Sequence, residues 1–214
     1  MKLSICVPAR DQVHTGFARS LCHLTNRLTK QNVDFDLHIV CGSVIVESRT
    51  ALVKEALENN ATHILWLDSD MHFPPSVFET LLSHNKDIVA GQYSTRYSPY
   101  RTVAFTDCEN TDNRLDASFG LHKVWAVGMG CMLTKTSVYN DLPKPWFDHE
   151  YNKRLDTFSG EDIYFCNQAM HHGYEVWIDA SIKLAHFGTK ANILLELLID
   201  LKDLEHQYIM DRIF

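Results

Sequence analysis

Between residues 3 and 90 the chain alternates between two kinds of segment, and that alternation narrows the choice of fold sharply. Residues 3–7, Leu-Ser-Ile-Cys-Val, form a short apolar run that stops at Pro8, the pattern of a buried strand. Residues 16–30 carry Phe17, Leu21, Leu24 and Leu28 at helical spacing. A second strand is expected over 35–40, stopped by Cys41-Gly42-Ser43, and a second helix over 46–57, where good helix formers dominate. His63-Ile64-Leu65-Trp66-Leu67 is the most hydrophobic strand, and it ends at Asp68-Ser69-Asp70. Pro74-Pro75 is expected to open a helix that reaches Ser83, with residues 87–90 as a fourth strand. This order predicts an α/β fold with a mostly parallel, doubly wound sheet flanked by helices. Right-handed crossovers then bring the strand C-termini to one edge, where such sheets bind ligands. Residues 8–11, residues 41–43, Asp68 and Asp70 all fall on that edge.

The second half is less regular. Residues 93–121 are polar, with Tyr93, Tyr97 and Tyr100 spaced among Ser, Thr, Arg and Pro, and read as a surface excursion or a small hairpin. Residues 123–133 return to strand character around Gly128-Met129-Gly130, a helix is expected over 161–172 ending at Gly173, and residues 176–178 form a short strand. Residues 193–214 read as an amphipathic helix, with Leu194, Leu197, Leu201, Leu204 and Tyr208 at alternating three- and four-residue spacing. The expected division is a domain over 1–189 and a C-terminal helix over 190–214 that packs on it or forms a homodimer.

Composition excludes several classes. The 214 residues are 45% hydrophobic, enough for a sizeable core, and 27 Asp+Glu against 20 Lys+Arg give a net charge of -7, which opposes a simple nucleic-acid binder. No run reaches the roughly 18 apolar residues of a membrane span, so no membrane partner is expected. The first residues lack the zones of a signal peptide, which suggests a cytoplasmic protein. Six cysteines without C-x-x-C spacing read as reduced, mostly packed thiols.

Chemistry concentrates at three places. Asp68-Ser69-Asp70 puts two carboxylates at the end of a buried strand, where each is costly to desolvate alone and a divalent cation is the natural partner. The simpler alternative is a polar turn in which Asp70 caps the next helix. Gly160-Glu161-Asp162 begins a helix, so its carboxylates suit the helix dipole, but the same turn can supply a general base. His186, between Ala185 and Phe187, is either a packed core histidine or a ligand.

Taken in order, these motifs resemble the GT-A-fold nucleotide-sugar glycosyltransferases, in particular the large inverting family of that fold, the mannosylglycerate-synthase-like enzymes and the polypeptide sugar transferases. The resemblance covers residues 2–188. Ile5-Cys6-Val7-Pro8-Ala9-Arg10 is similar to that family's first strand and nucleotide-binding loop, and Glu47-Ser48-Arg49-Thr50 to its Arg-Asn motif. Leu67-Asp68-Ser69-Asp70-Met71 is similar to its metal motif, residues 128–133 to the strand beneath the acceptor, Gly160-Glu161-Asp162 to its E-D motif, and His186 to its late metal ligand. Two positions depart: Cys41-Gly42-Ser43 stands where an acidic pair often reads the base, and Thr50 stands where Asn is usual, so the nucleobase is left open.

The resemblance implies a GT-A, Rossmann-like domain that transfers a sugar from a nucleoside-diphosphate donor, UDP in preference to GDP, to a hydroxyl acceptor with the help of Mn²⁺ or Mg²⁺. Asp70 and His186, with Asp68, would hold the metal. Pro8, Ala9, Arg10, Arg49, Asp68 and Ser69 would line the nucleotide site, and Asp162, with Glu161, would serve the acceptor as base. Trp125, Tyr93 and Trp146 are candidates for stacking on a sugar ring. The acceptor is a glycan, a small hydroxylated metabolite or a hydroxymethylated DNA base; the loop 93–101, with Arg96 and Arg101, has the basic and aromatic mixture that a DNA partner would use. Two other readings compete: a nucleotide-sugar-binding module without catalysis, and a haloacid-dehalogenase-like phosphatase. The latter family usually places its D-x-D near the N-terminus and follows it with Thr or Val, unlike Met71-His72 here.

Overall fold

The computed structural model describes residues 1–96, 99–108, 110, 112–153 and 156–187. The C-terminal helix expected over 190–214, and any dimer through it, lies outside them. In the first half, strand β1 (Lys2–Ala9), helix α1 (Thr15–Lys30), β2 (Asp34–Cys41), α2 (Ile45–Glu58), β3 (His63–Leu67), β4 (Met71–His72), α3 (Val77–Ser83) and β5 (Ile88–Gln92) follow one another. Then come β6 (Ala104–Phe105), β7 (Leu121–Val124), β8 (Ala126–Val127), β9 (Cys131–Lys135), α4 (Thr136–Asp141), β10 (Tyr151–Asn152), β11 (Thr157–Phe158), α5 (Glu161–His171), β12 (Val176–Lys183) and β13 (Ala185–His186).

Seven strands form one sheet in the order β2-β1-β3-β9-β5-β12-β7. Five of them, β2, β1, β3, β5 and β12, run in the same direction, whereas β9 lies antiparallel between β3 and β5 and β7 closes the far edge antiparallel to β12. The sheet is therefore Rossmann-like and mostly parallel in strand direction, with a reversed strand that chain order alone does not reveal. Residues 123–133, expected as one strand, divide into the end of β7, then β8 and β9. The reason is local. A Cβ on Gly128 would lie 2.1 Å from the Tyr93 hydroxyl oxygen, and one on Gly130 would lie 2.9 Å from its Cζ. The two glycines admit the Tyr93 ring, whose hydroxyl oxygen accepts a hydrogen bond from Gly130 N–H at 3.1 Å.

Both faces of the sheet are covered, as a buried parallel sheet requires. One core cluster holds Leu3, Ile5, Val7, Phe17, Leu24 and Leu28 with Phe73, Phe78 and Leu133. The other gathers Leu52, Val53, Ile64, Trp66, Tyr139, Phe147 and Phe165. Trp66 is fully buried, and its indole N–H donates to the Tyr139 hydroxyl at 2.8 Å, so the polar end of the ring is satisfied inside the core. Trp146 is buried as well and donates to the Tyr139 carbonyl at 2.9 Å. Tyr93 and Trp146 are thus packing residues, which corrects the expectation that they stack on a sugar.

Three further expectations are revised. Helix α3 begins at Val77 after Ser76, so Pro74-Pro75 make a turn before it rather than its first residues; the Val77 N–H bonds the Pro74 carbonyl at 3.1 Å. Strand β12 runs eight residues because it is held on both sides, by β5 and β7. All six cysteines are free, and only Cys6, Cys131 and Cys166 are buried, so half of the thiols face solvent.

Candidate functional site

The strand ends meet where the topology requires. The end of β1 brings Pro8 and Ala9, and the residue after it Arg10, to one cavity of about 300 Å³, the turn after β2 brings Gly42 and Ser43, and the turn after β3 brings Asp68, Ser69 and Asp70. Arg49, Arg96 and Glu161 complete its wall. Pro8 and Ala9 are buried and Arg10 is exposed. Gly42 leaves room here: a Cβ would come within 2.8 Å of Ser48 Oγ near the start of α2, and that hydroxyl would have to shift.

Arg49 arrives through an unusual helix face. Arg49, Leu52, Val53 and Ala56 share the buried side of α2 at i, i+3, i+4 and i+7, which puts a guanidinium where a leucine would be ordinary. Its charge is compensated on both sides. Nη2 donates to Asp68 Oδ1 at 2.9 Å and Nε to Glu161 Oε1 at 3.0 Å, while the carbon of the guanidinium lies 5.4 Å from the Trp66 ring centroid. Burial works against the charge, yet Asp68 and Glu161 hold the group more firmly protonated than a free arginine. Nη1 is buried without a hydrogen-bond partner, so one donor remains for a ligand. Glu161, expected beside Asp162 as a catalytic carboxylate, is committed to this ion pair.

His186 reaches Asp70 by a short ribbon. Immediately after the D-x-D turn, β4 pairs antiparallel with β13, setting Ala185 against His72 and His186 against Met71, and Phe187 N–H donates to the Asp70 carbonyl at 2.8 Å. The imidazole Nε2 then stands 3.4 Å from Asp70 Oδ2. Its Nδ1 lies 3.3 Å from the Ser94 carbonyl, a contact that fixes the tautomer with Nδ1 protonated and Nε2 free to act as a ligand. Asp70 Oδ1 is buried and unpartnered. A carboxylate with Oδ1 unsatisfied and Oδ2 3.4 Å from an imidazole nitrogen is the donor set a divalent cation fits, with mixed O and N character. Among the described residues no three His, Cys, Asp or Glu side chains converge closely enough to hold an ion by themselves. The remaining coordination positions would fall to a bound ligand or water, as is usual for a cation carried with phosphates.

Asp162 occupies the first turn of α5. Burial and the adjacent Glu161 push its carboxyl from 3.8 up to about 6, against the pull of Ile163 N–H and Arg49. Its Oδ1 accepts from Ile163 N–H at 2.8 Å, and a Cβ on Gly160 would come within 2.6 Å of the same oxygen. Glycine at 160 is thus what lets the carboxylate fold back across the helix start.

On the other side of that turn lies a second, two-chambered depression of about 440 and 180 Å³. Trp125, Asn152, Ser159 and Ile163 are common to both chambers; Tyr151 and Tyr164 line the larger, and Gly160 and Phe158 the smaller. Gly160 faces this depression and Glu161 the first cavity, so the start of α5 is the wall between them. Arg96 is the site residue that the sequence points to least directly. It bridges Asp70 and His186, with Nε donating to His186 Nε2 at 2.8 Å and Nη2 paired with Asp70 Oδ2. A lone arginine in a polar loop leaves no periodic trace.

The profile of the Anp1 family matches residues 28–173 of the chain. No curated protein is similar to it in sequence at a significant level. Solved structures are similar in fold. A197 from STIV shares 18% identity at a TM-score of 0.59, covering 87% of this chain and 86% of the other. GalNAc-T7, crystallised with UDP, GalNAc and Mn²⁺, shares 10% identity at a TM-score of 0.54; the match covers 87% of this chain but only 44% of that protein. The 4-diphosphocytidyl-2C-methyl-D-erythritol synthase of Anaerococcus prevotii shares 13% identity at a TM-score of 0.50, covering 91% and 93%. At these identities the similarity establishes a Rossmann-like fold of the GT-A type. No helix among the described residues is long and apolar enough to cross a membrane.

Proposed function

This chain belongs to the Anp1 family, and from that premise we propose that it transfers a sugar from a nucleoside diphosphate, UDP in preference to GDP, to a hydroxyl of an acceptor. One observation carries the reading: Asp70 and His186, 116 positions apart in the chain, stand 3.4 Å apart at the rim of a cavity whose other walls are Arg10, Arg49 and Ser69.

Asp70 and His186, with water and donor phosphates, would hold Mn²⁺ or Mg²⁺, which when bound supplies Lewis-acid stabilisation of the departing diphosphate. GalNAc-T7, similar in fold, carries Mn²⁺ and UDP in its crystals, which supports that choice. Pro8, Ala9, Arg10 and Ser69 line the nucleotide. The unpaired Nη1 of Arg49 donates to the donor, and the Asp68–Arg49–Glu161 bridge keeps that guanidinium from rotating away. Asp162 takes the proton of the acceptor hydroxyl in an inverting transfer, its carboxyl near 6 being ionised at neutral pH yet basic enough to respond to a developing charge.

The acceptor lies in the second depression. Trp125, Tyr151 and Tyr164 offer ring faces, Asn152 and Asn167 offer amides, and Glu150 is balanced by Lys153. That combination suits a glycan or another neutral polyol better than the polyanionic backbone of modified DNA.

Incubation with UDP- and GDP-sugars, with Mn²⁺, Mg²⁺ or EDTA, tests the reaction. Metal-dependent release of UDP or GDP, accelerated by a sugar acceptor, is expected; pyrophosphate release from a nucleoside triphosphate, or phosphatase activity without any donor, would contradict it. Trp125→Ala is expected to raise the acceptor KM about tenfold, the effect of losing a ring of this size from a binding face, with the donor KM unchanged. An equal rise in both constants would remove Trp125 from the acceptor site.

A further inference from the structure

The cation site described above is bridged by a side chain of the protein itself. Arg96 lies two residues beyond Ser94, which forms an isolated bridge with Thr102, and Thr95 N–H bonds the Arg101 carbonyl at 2.9 Å. From that anchored base the guanidinium reaches both groups of the site, His186 Nε2 and Asp70 Oδ2. The fit is incomplete. Asp70 Oδ1 is buried and makes no hydrogen bond, although a guanidinium normally pairs with both oxygens of a carboxylate. The Arg96 side chain is 46% exposed, while Asp70 and His186 are 22% and 13% exposed. The arginine is therefore the accessible member of a cluster whose other two members are fixed by the β4–β13 ribbon.

The geometry points to Arg96 as an internal stand-in for the divalent cation that moves to the donor's diphosphate when the cation enters. This rests on the nucleotide-sugar reading above. The physical logic is competition between positive charges. A guanidinium and a divalent ion cannot both occupy the space between Asp70 and His186, so each weakens the other there. Once displaced, Arg96 still belongs to the wall of the nucleotide cavity, beside Arg10 and Ser69, where a planar fork of donors suits a phosphate. The cation then binds weakly alone and well with the donor, and by linkage the donor binds well only with the cation. The free protein keeps its two ligands neutralised until both arrive.

Mn²⁺ alone, titrated into the full chain and followed by the electron paramagnetic resonance of the free ion, tests this without any turnover. Arg96→Gln is expected to bind Mn²⁺ about threefold to fivefold more tightly than the unaltered protein, as loss of one competing ion pair allows, and Arg96→Lys to stay near the unaltered value. With Mn²⁺ saturating, UDP is expected to bind Arg96→Gln about tenfold more weakly, since one charged phosphate contact is gone. Equal or weaker Mn²⁺ binding by Arg96→Gln, with binding still lost in Asp70→Asn, would overturn the stand-in while leaving the metal site intact. Absence of any Asp70-dependent Mn²⁺ binding in every variant would overturn both this inference and the reading on which it rests.

Discussion

Asp70→Ala is expected to lower metal-dependent transfer by roughly 10³-fold or more, the scale of losing the Lewis acid that stabilises a departing diphosphate. His186→Ala should fall in the same direction, because the two side chains are the fixed pair of the cluster. The fold should tolerate both changes. What Asp70 contributes to stability is one ion pair with a half-exposed arginine, worth at most about 1 kcal/mol. Its buried, unpartnered Oδ1 gives nothing back, and removing it relieves an unmet hydrogen bond. A melting temperature close to that of the unaltered protein, with turnover gone, is the expected pair of results. Full activity of Asp70→Ala would separate the D-x-D turn from catalysis.

Asp162→Asn should cut transfer by about 10² to 10⁴, the usual contribution of a positioned general base, while Mn²⁺ and donor binding remain near their original values. The pH dependence has a definite sign. The base must be ionised, so the rate should rise with pH through about 6 and level off above it. The same shift bears on stability. A carboxyl moved from 3.8 up to about 6 in the folded state favours the protonated form there, so the folded protein is best off below the unfolded value and loses stability as pH rises through about 6. Asparagine removes that cost. The variant is therefore expected to be more stable than the parent at pH 7.5, by at most about 3 kcal/mol, with the difference vanishing near pH 3. Thermal melts at the two pH values, set beside initial rates from pH 5 to 8, check both. A flat rate profile across pH 6, or a variant less stable at pH 7.5, would take the proton-accepting role from Asp162.

Much of the fold is legible in short-range pattern. Apolar runs that end near Gly42 and Asp68 mark strand ends, and the spacing of Phe17, Leu24 and Leu28 marks a helix, because burial on one face is a local demand; Pro8 misleads, because β1 continues through it to Ala9. Neighbour relations are not local. Cys131–Lys135 reads as buried strand, but nothing within it says that it slots antiparallel between β3 and β5. The Gly128 and Gly130 pair looks like a turn signal until Tyr93, far earlier in the chain, is found lying against both. Pro74-Pro75 fits either a first helical turn or the turn before one, and only the onset of α3 at Val77 decides.

The site divides in the same way. The carboxylates and the late imidazole can be picked out as residue types, and the strand-end rule brings residues 8–10, 42–43 and 68–70 to one cavity. The ion pair from Arg49 to Glu161 crosses 112 positions and has no sequence signal, so Glu161 reads as an ordinary first-turn acid. Arg49 does leave a trace: a charge on the apolar stripe shared with Leu52, Val53 and Ala56. Tyr93 at the start of a polar stretch and Trp125 in an apolar one suggest the opposite of what is found, for Trp125 lines a cavity and Tyr93 fills the core. Packing partners, not residue type, make that distinction.

Anomalous diffraction at the manganese edge, from crystals grown with UDP and Mn²⁺, bears most directly on the proposed chemistry. A single strong peak bonded to the Asp70 carboxylate and His186 Nε2, with Arg96 drawn off toward the diphosphate, is the expected result. Nucleotide density in the cavity with no manganese beside Asp70 and His186, and Arg96 still between them, would contradict it.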